Sequence, residues 1–205
     1  TPHLSLYQLT LEPNTVFAKK PPPLPDHDEA ADMQARVEEM LGSAGYEHYE
    51  TSGYARPGMR CQHNLNYWGF GDYVAIGAGA HGKLSMPGGP PGSGESAKIV
   101  RTERVKQPRD YMQKALGNDP ASCVFERREV KRSEVGFEFM LNALRLNDGF
   151  PVSWFAERTG YPISLVSPAL DSAEREGLIT RTHEKIAPTA LGRRFLNRVL
   201  ENFLS

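Results

Sequence analysis

Cysteine is almost missing from this chain of 205 residues: there are two, Cys61 and Cys123. Two isolated thiols build neither a disulfide framework nor a four-ligand zinc site, and they point to a reducing compartment, read here as the cytoplasm. Charge of one sign is missing too, since 24 Lys and Arg stand against 25 Asp and Glu. A near-neutral chain has little field to draw a polyanion, so nucleic acid and acidic membrane surfaces are not expected partners. No apolar run approaches the roughly 18 residues of a membrane-spanning segment. What remains is enough chain for one substantial hydrophobic core or two smaller ones.

The pattern predicts a strand from His3 to Leu11, rich in apolar and aromatic residues and stopped by Glu12-Pro13. Pro21-Pro22-Pro23-Leu24-Pro25 is neither helix nor central strand and must be an exposed connection. A helix follows over Asp28 to Ala44. Asp26 and Glu29 have capping-box spacing, Met33, Val37, Met40, Leu41 and Ala44 form one stripe, and Gly45 is placed to end it. Strands are expected over Glu47–Tyr54 and Tyr73–Ala78, with a loop between. Strands alternating with a helix suggest βα units and a parallel sheet. Residues 85–98 are almost all Gly, Pro, Ser and small polar residues between two strand-like flanks. They read as the swollen tip of a β-hairpin, either a flap over a site or a tolerated insertion. Pro108 to Leu116 reads as a short helix.

From about Asp119 the character turns helical, with the charged run Glu126 to Arg132 leading into Phe137, Met140, Leu141 and Leu144. Helices over Pro151–Arg158 and Ser164–Glu176, strands over Gly177–Thr180 and Lys185–Ala187, and a last helix with Leu191, Phe195, Val199, Leu200 and Phe203 on its apolar face complete a winged-helix-like order. Asp171, Glu174, Arg175 and Glu176 nearly cancel on the candidate recognition helix, so the module is read as a packing or partner-binding cap rather than a DNA reader.

The densest group of functional side chains is Cys61-Gln62-His63-Asn64-Leu65-Asn66-Tyr67-Trp68, followed by Tyr73-Val74-Ala75-Ile76-Gly77-Ala78-Gly79-Ala80-His81-Gly82. An imidazole beside two large rings has the makings of a metal ligand with a flat wall for an aromatic ligand. The other reading is a polar loop whose histidine caps backbone and whose tryptophan fills a core. The glycines after Ile76 allow either close backbone approach to a ligand or a bulge.

These segments, with Tyr49-Glu50-Thr51-Ser52-Gly53-Tyr54-Ala55 and the opening Leu4 to Thr15, resemble the HemW family of haem chaperones. That family is related to oxygen-independent coproporphyrinogen III oxidase within the radical S-adenosylmethionine (SAM) superfamily. The resemblance covers essentially the whole chain, and its His-Asn-x-x-Tyr-Trp motif separates the chaperones from the true oxidases. It implies an α/β fold: the C-terminal part of a radical-SAM partial (βα) barrel with a β-hairpin insertion over residues 1–118, then a mainly helical, winged-helix-like domain over 119–205. It implies haem binding and transfer to haem-accepting apoproteins, with decarboxylation of coproporphyrinogen III as the alternative, and it leaves a homodimer open.

The sites follow from the same resemblance. His63 is the implied haem-iron ligand, with Asn64 or Asn66 offering a carbonyl to fix its ring and Tyr67 and Trp68 packing on the porphyrin. His81 is the second candidate ligand. Gln8 and Thr10, at the end of the first strand, either line the SAM pocket or are buried strand-end residues, and Gly77 and Gly79 leave room beside the same pocket. One departure stands out. The family's C-x3-C-x2-C triplet, whose thiolates hold a [4Fe-4S] cluster, is not matched by Cys61 and Cys123. The chain is therefore expected to be the C-terminal portion of a longer protein. SAM and the cluster then belong to the full-length form, and this portion alone is inactive in radical chemistry.

Overall fold

The computed structural model describes residues 1–86, 88 and 97–204, the side chain of Pro120 excepted, so most of the expected hairpin tip lies outside the described residues. The chain divides into two compact units, Thr1–Cys61 and Gln62–Ser205. The architecture is mixed helix and sheet, as the sequence implies.

The first unit contains β1 (His3–Ser5), α1 (Val16–Lys19), α2 (His27–Ser43), β2 (Glu47–Glu50) and β3 (Gly53–Ala55). The capping box forms as expected: Asp26 accepts from the Asp28 and Glu29 amides, and Glu29 accepts from the Asp26 amide at 3.1 Å. Gly45, at φ 80°, stops the helix in a left-handed conformation that costs a Cβ-bearing residue energy. Among the described residues no side chain of α2 is fully buried, and Met33 and Met40 of the expected stripe are open to solvent. The expected strand over Glu47–Tyr54 is instead a hairpin folding at Thr51-Ser52, with Tyr49 and Tyr54 buried.

The sheet order is β1-β3-β2, and both pairings are antiparallel. The expected parallel sheet is thus not found among the described residues. A two-residue connection joins only antiparallel neighbours, whereas parallel ones need a long crossover. The first strand also stops at Ser5 rather than Leu11. β3 offers it three partners and no more, and after the Leu6 amide donates to Ser52 the chain runs exposed.

The second unit opens with α3 (Gln62–Trp68), where a loop was expected, and the segment after it makes a single β-bridge, Tyr73 with Lys83, in place of a strand. The hairpin is formed by β4 (His81–Met86) and β5 (Lys98–Arg104); α4 (Pro108–Ala115) follows with proline in its first turn. The charged run then departs from expectation. Val124–Glu129 is a strand, β6, which pairs antiparallel with β5, and helix begins only with α5 (Arg132–Ala143). Alternating charge suits an outer strand, whose free edge it guards against unwanted pairing.

Beyond α5 come β7 (Phe150–Pro151), α6 (Ser153–Thr159), α7 (Ser167–Arg175), β8 (Ile179–Arg181), β9 (Lys185–Pro188), α8 (Ala190–Arg194) and α9 (Leu196–Glu201). The helix, helix, helix, hairpin, helix order holds, with β7 adding a third strand to the wing. The last helix breaks at Phe195, so Val199, Leu200 and Phe203 are buried while Leu191 and Phe195 are not. Phe139 of α5 centres the core, meeting Phe70, Phe150 and Phe155 edge to face at 5.4, 5.2 and 5.1 Å. Arg181 of the wing clasps Asp171 and Glu174 of α7 at 2.6 and 2.9 Å.

Candidate functional site

On a helix, residues four apart share a face. His63 and Tyr67 therefore stand together on α3, ring centroids 4.7 Å apart at 67°. His63 is exposed, Asn64 and Tyr67 are half-buried, and among the described residues no group hydrogen-bonds either ring nitrogen of His63. Leu65 and Trp68 turn to another face and pack on the core around α5. The Trp68 ring lies under the Arg145 guanidinium at 4.3 Å, and its indole N–H is buried without a partner among the described residues. Trp68 thus anchors the helix inward while His63 looks out. Asn66 does not reach back to the imidazole: its amide donates to the Asp72 carbonyl at 3.0 Å.

The helix ends in a strained but well-held turn. Phe70 has φ 57°, rare for a bulky residue. Its ring is buried in the core and its carbonyl accepts from Lys83 Nζ at 2.7 Å. Lys83 is buried on β4, and its ammonium also donates to Asp72 Oδ1 at 2.9 Å and Ser85 Oγ at 2.8 Å while lying 4.0 Å over the Phe70 ring. All three of its protons are engaged, which is what a buried cation requires.

Residues directly opposite one another in antiparallel strands project from the same face. Register therefore places Tyr73, Lys83, Arg101 and Arg128 in one row across the sheet, and His81, Glu103 and Glu126 in the next. Glu138 of α5 closes over the first row. Its Oε2 accepts from Arg101 Nε and Nη2 at 3.1 and 2.5 Å, and its Oε1 accepts from Arg128 at 2.7 Å. Arg101 Nη1 donates to the Tyr73 hydroxyl at 2.8 Å, and the Tyr73 ring lies 4.1 Å from that of Tyr67. Burial pushes the Tyr73 phenol up, opposed by the Arg101 charge. A cavity of about 410 Å³ lies over this face, lined by Tyr73, His81, Arg101, Glu126, Arg128 and Glu138 among others.

The structure thus joins His63, Tyr67 and, through Tyr67, Tyr73, and it sets His81, which is exposed, at the mouth of the cavity. Gly77 and Gly79 form a turn with φ 109° and 69°; the Gly77 amide donates to the Tyr111 hydroxyl at 3.0 Å and the Gly79 amide to the Val105 carbonyl at 2.9 Å. A Cβ on Gly77 would meet nothing within 4 Å, so glycine is needed there for conformation, not for room. Gln8 and Thr10 lie in the other unit, on exposed chain past the end of β1. Cys61 and Cys123 are free thiols, and among the described residues no group of three or more His, Cys, Asp or Glu is placed to hold a metal ion. The donor set fits one axial imidazole for haem iron and does not fit an iron–sulfur cluster. Lys83, Asp72, Arg101 and Glu138 were not foreseen: in a strand Lys83 and Arg101 read as outward-facing polar residues, and Asp72 in a loop and Glu138 on a helix read as solvated charges.

Residues 130–195 match the HemN C-terminal domain. Over its whole length the chain superposes on part of coproporphyrinogen III oxidase (HemN) from Escherichia coli, a radical SAM enzyme, with a TM-score of 0.67 at 16% identity, covering 48% of that structure. The superposition gives the chain a HemN-like fold, and the domain match gives residues 130–195 a HemN-type C-terminal domain. The haem chaperone HemW of Escherichia coli (strain K12) is 43% identical over 204 residues, all of this chain and 50% of the relative. HemW of Bacillus subtilis (strain 168) is 32% identical over 98% of the chain and 51% of the relative. Mouse radical S-adenosyl methionine domain-containing protein 1, mitochondrial, is 41% identical over 128 residues, 60% of the chain and 28% of the relative. The chain belongs to the HemW family, and it spans about half the length of the curated HemW relatives it matches. No helix among the described residues is long and apolar enough to cross a membrane.

Proposed function

We propose that this chain is the haem-binding portion of a haem chaperone, which holds haem iron through His63 and passes the haem to acceptor apoproteins. The observation that carries the reading is the His63 imidazole itself: exposed on a helix whose other face is anchored in the core, with neither ring nitrogen engaged among the described residues. Haem iron takes a neutral imidazole as an axial ligand. Tyr67 gives that imidazole a neighbouring wall, Asn64 adjoins it in the motif, and Trp68 holds the helix down. Relatives at up to 43% identity are haem chaperones by name, which supports the same reading, whereas likeness to the oxidase at 16% identity supports fold alone.

SAM and a [4Fe-4S] cluster enter the proposal as cofactors of the full-length protein, on the support of the family's class. Gln8, Thr10, Gly77 and Gly79 are this chain's candidates for the SAM side. The reading divides the chain near Asp119 into a barrel portion and a C-terminal module, supported by the domain match beginning at Val130. It places the protein in the cytoplasm, supported by two free thiols.

The test is a haemin titration of the full-length protein. His63→Ala should abolish or displace the Soret band, and His81→Ala should leave it in place. The reverse pattern moves the ligand to His81, and an unchanged band in both variants sinks haem ligation by this chain. Sedimentation of the loaded protein reads whether haem is held by a monomer or a homodimer.

A further inference from the structure

We propose that Glu138, Arg101 and Tyr73 are positioning residues for His63, which fix the plane of its imidazole through Tyr67 although none of them touches it. The inference rests on the reading of His63 as the haem ligand and names what sets its geometry.

His63 is exposed, and the ring of Tyr67, 4.7 Å away and edge-on at 67°, is its one described aromatic neighbour. An exposed side chain on the surface of a seven-residue helix has several rotamers open to it, so its orientation is set by whatever it leans on. Tyr67 in turn lies against Tyr73, centroids 4.1 Å apart and tilted by 31°. Tyr73 is held at both ends. Its backbone exchanges hydrogen bonds with Lys83 in both directions, at 2.9 and 3.0 Å, and its hydroxyl accepts from Arg101 Nη1 at 2.8 Å.

Arg101 cannot swing, because its guanidinium is forked onto Glu138, which is only 13% exposed and also takes Arg128. A planar guanidinium pinned along its Nε–Nη2 edge presents Nη1 in one direction, and that edge geometry is specific to arginine. An unbroken series of contacts therefore runs from a carboxylate on α5 to the imidazole on α3. Outer-shell partners of a metal-ligating histidine orient its ring, and removing one typically costs about 10–100-fold in metal affinity. Here that role falls to packed aromatic rings, since the nearby Asn66 amide is committed to Asp72.

A bland alternative exists: the ion network serves only to hold α5 on the sheet. Tyr73→Phe separates the two, because it cuts the Arg101 contact while leaving Glu138, Arg101 and Arg128 joined. In the haem-free full-length protein, the His63 imidazole resonance is identified by its loss in His63→Ala. It should move or broaden in Tyr73→Phe and in Glu138→Gln, with the circular dichroism unchanged, and haemin affinity should fall by about tenfold or more. Arg101→Lys, which keeps the charge and loses the fork, should behave like Tyr73→Phe. A His63 resonance that stays in place in both Tyr73→Phe and Glu138→Gln overturns the proposal. A resonance that moves, in a protein whose haemin spectrum is indifferent to His63→Ala, leaves the coupling standing and refutes the ligand assignment on which its use depends.

Discussion

Lys83 and Asp72 are joined at 2.9 Å across a sharp gradient of solvation: the lysine side chain is 1% exposed and the aspartate 41%. Burial raises the Asp72 carboxyl, but hydrogen bonds from Lys83 and Ser85 outweigh it and hold the group below its ordinary value. Burial is also the main influence on Lys83, lowering it, with Asp72 opposing. A depressed carboxyl contributes stability that is present above its unfolded value and is lost as pH falls through the folded one. The urea midpoint should therefore drop on acidification below about pH 4, and Asp72→Asn should flatten that limb. At neutral pH Asp72→Asn should cost about 1–2 kcal/mol. Lys83→Met, which strands the Phe70 carbonyl, should cost about 1–3 kcal/mol. The double variant should cost less than the sum, since one charge is no longer left without the other.

Gly71 sits where the Asn66 side chain crosses it. A Cβ at this position would overlap Asn66 Oδ1 and press on the Asn66 carbonyl, which is backbone and cannot yield cheaply. Gly71→Ala should push Asn66 off the Asp72 carbonyl and cost about 1–3 kcal/mol, the range for overpacking. Thermal denaturation reads the loss, and a variant as stable as the parent would show that the turn has slack.

Trp68 is a test of inward against outward roles. With its ring on the core and under Arg145, Trp68→Ala should lower stability by about 2–4 kcal/mol and weaken haem retention as a consequence of a loosened α3. Trp68→Phe should recover most of the stability. Should Trp68→Ala instead lose haem at full stability, the ring contacts porphyrin directly.

Anaerobic reconstitution of this chain with iron and sulfide should yield no stoichiometric cluster, because Cys61 and Cys123 supply fewer thiolates than a [4Fe-4S] site takes. Iron and sulfide analysis after desalting checks it; retention of four of each per chain would refute the ligand count.

Helix α2 was legible because its ends are written locally, in Asp26, Glu29 and Gly45, and the β4–β5 hairpin because two strand-like flanks enclose a stretch rich in Gly, Pro and Ser. Errors arose where local pattern met a partner the sequence does not mark. Leu6 to Leu11 has strand composition but no strand to pair with, and Glu126 to Glu129 has the charge of a solvated helix but an open edge of β5 beside it. At the site, His63, Tyr67 and Trp68 stood out because aromatic side chains close in sequence are conspicuous. Arg101 and Glu138 meet only in three dimensions, 37 positions apart, and nothing in their neighbourhoods distinguishes them from surface charges.

The junction between the hairpin and the helical module has a kinetic consequence. Strand β5 is bonded along both sides, to β4 and to β6, and the Val130 amide that leads into α5 donates to the Ile99 carbonyl of the same strand at 2.8 Å. With Ile99 and Val130 both buried, releasing β6 bares the packing of α5 as well. Amide protons of β5 should therefore exchange with deuterated solvent only when sheet and helix open in one event, at rates matching those of Phe139 and Met140, while the amides of α4 exchange on their own, faster clock.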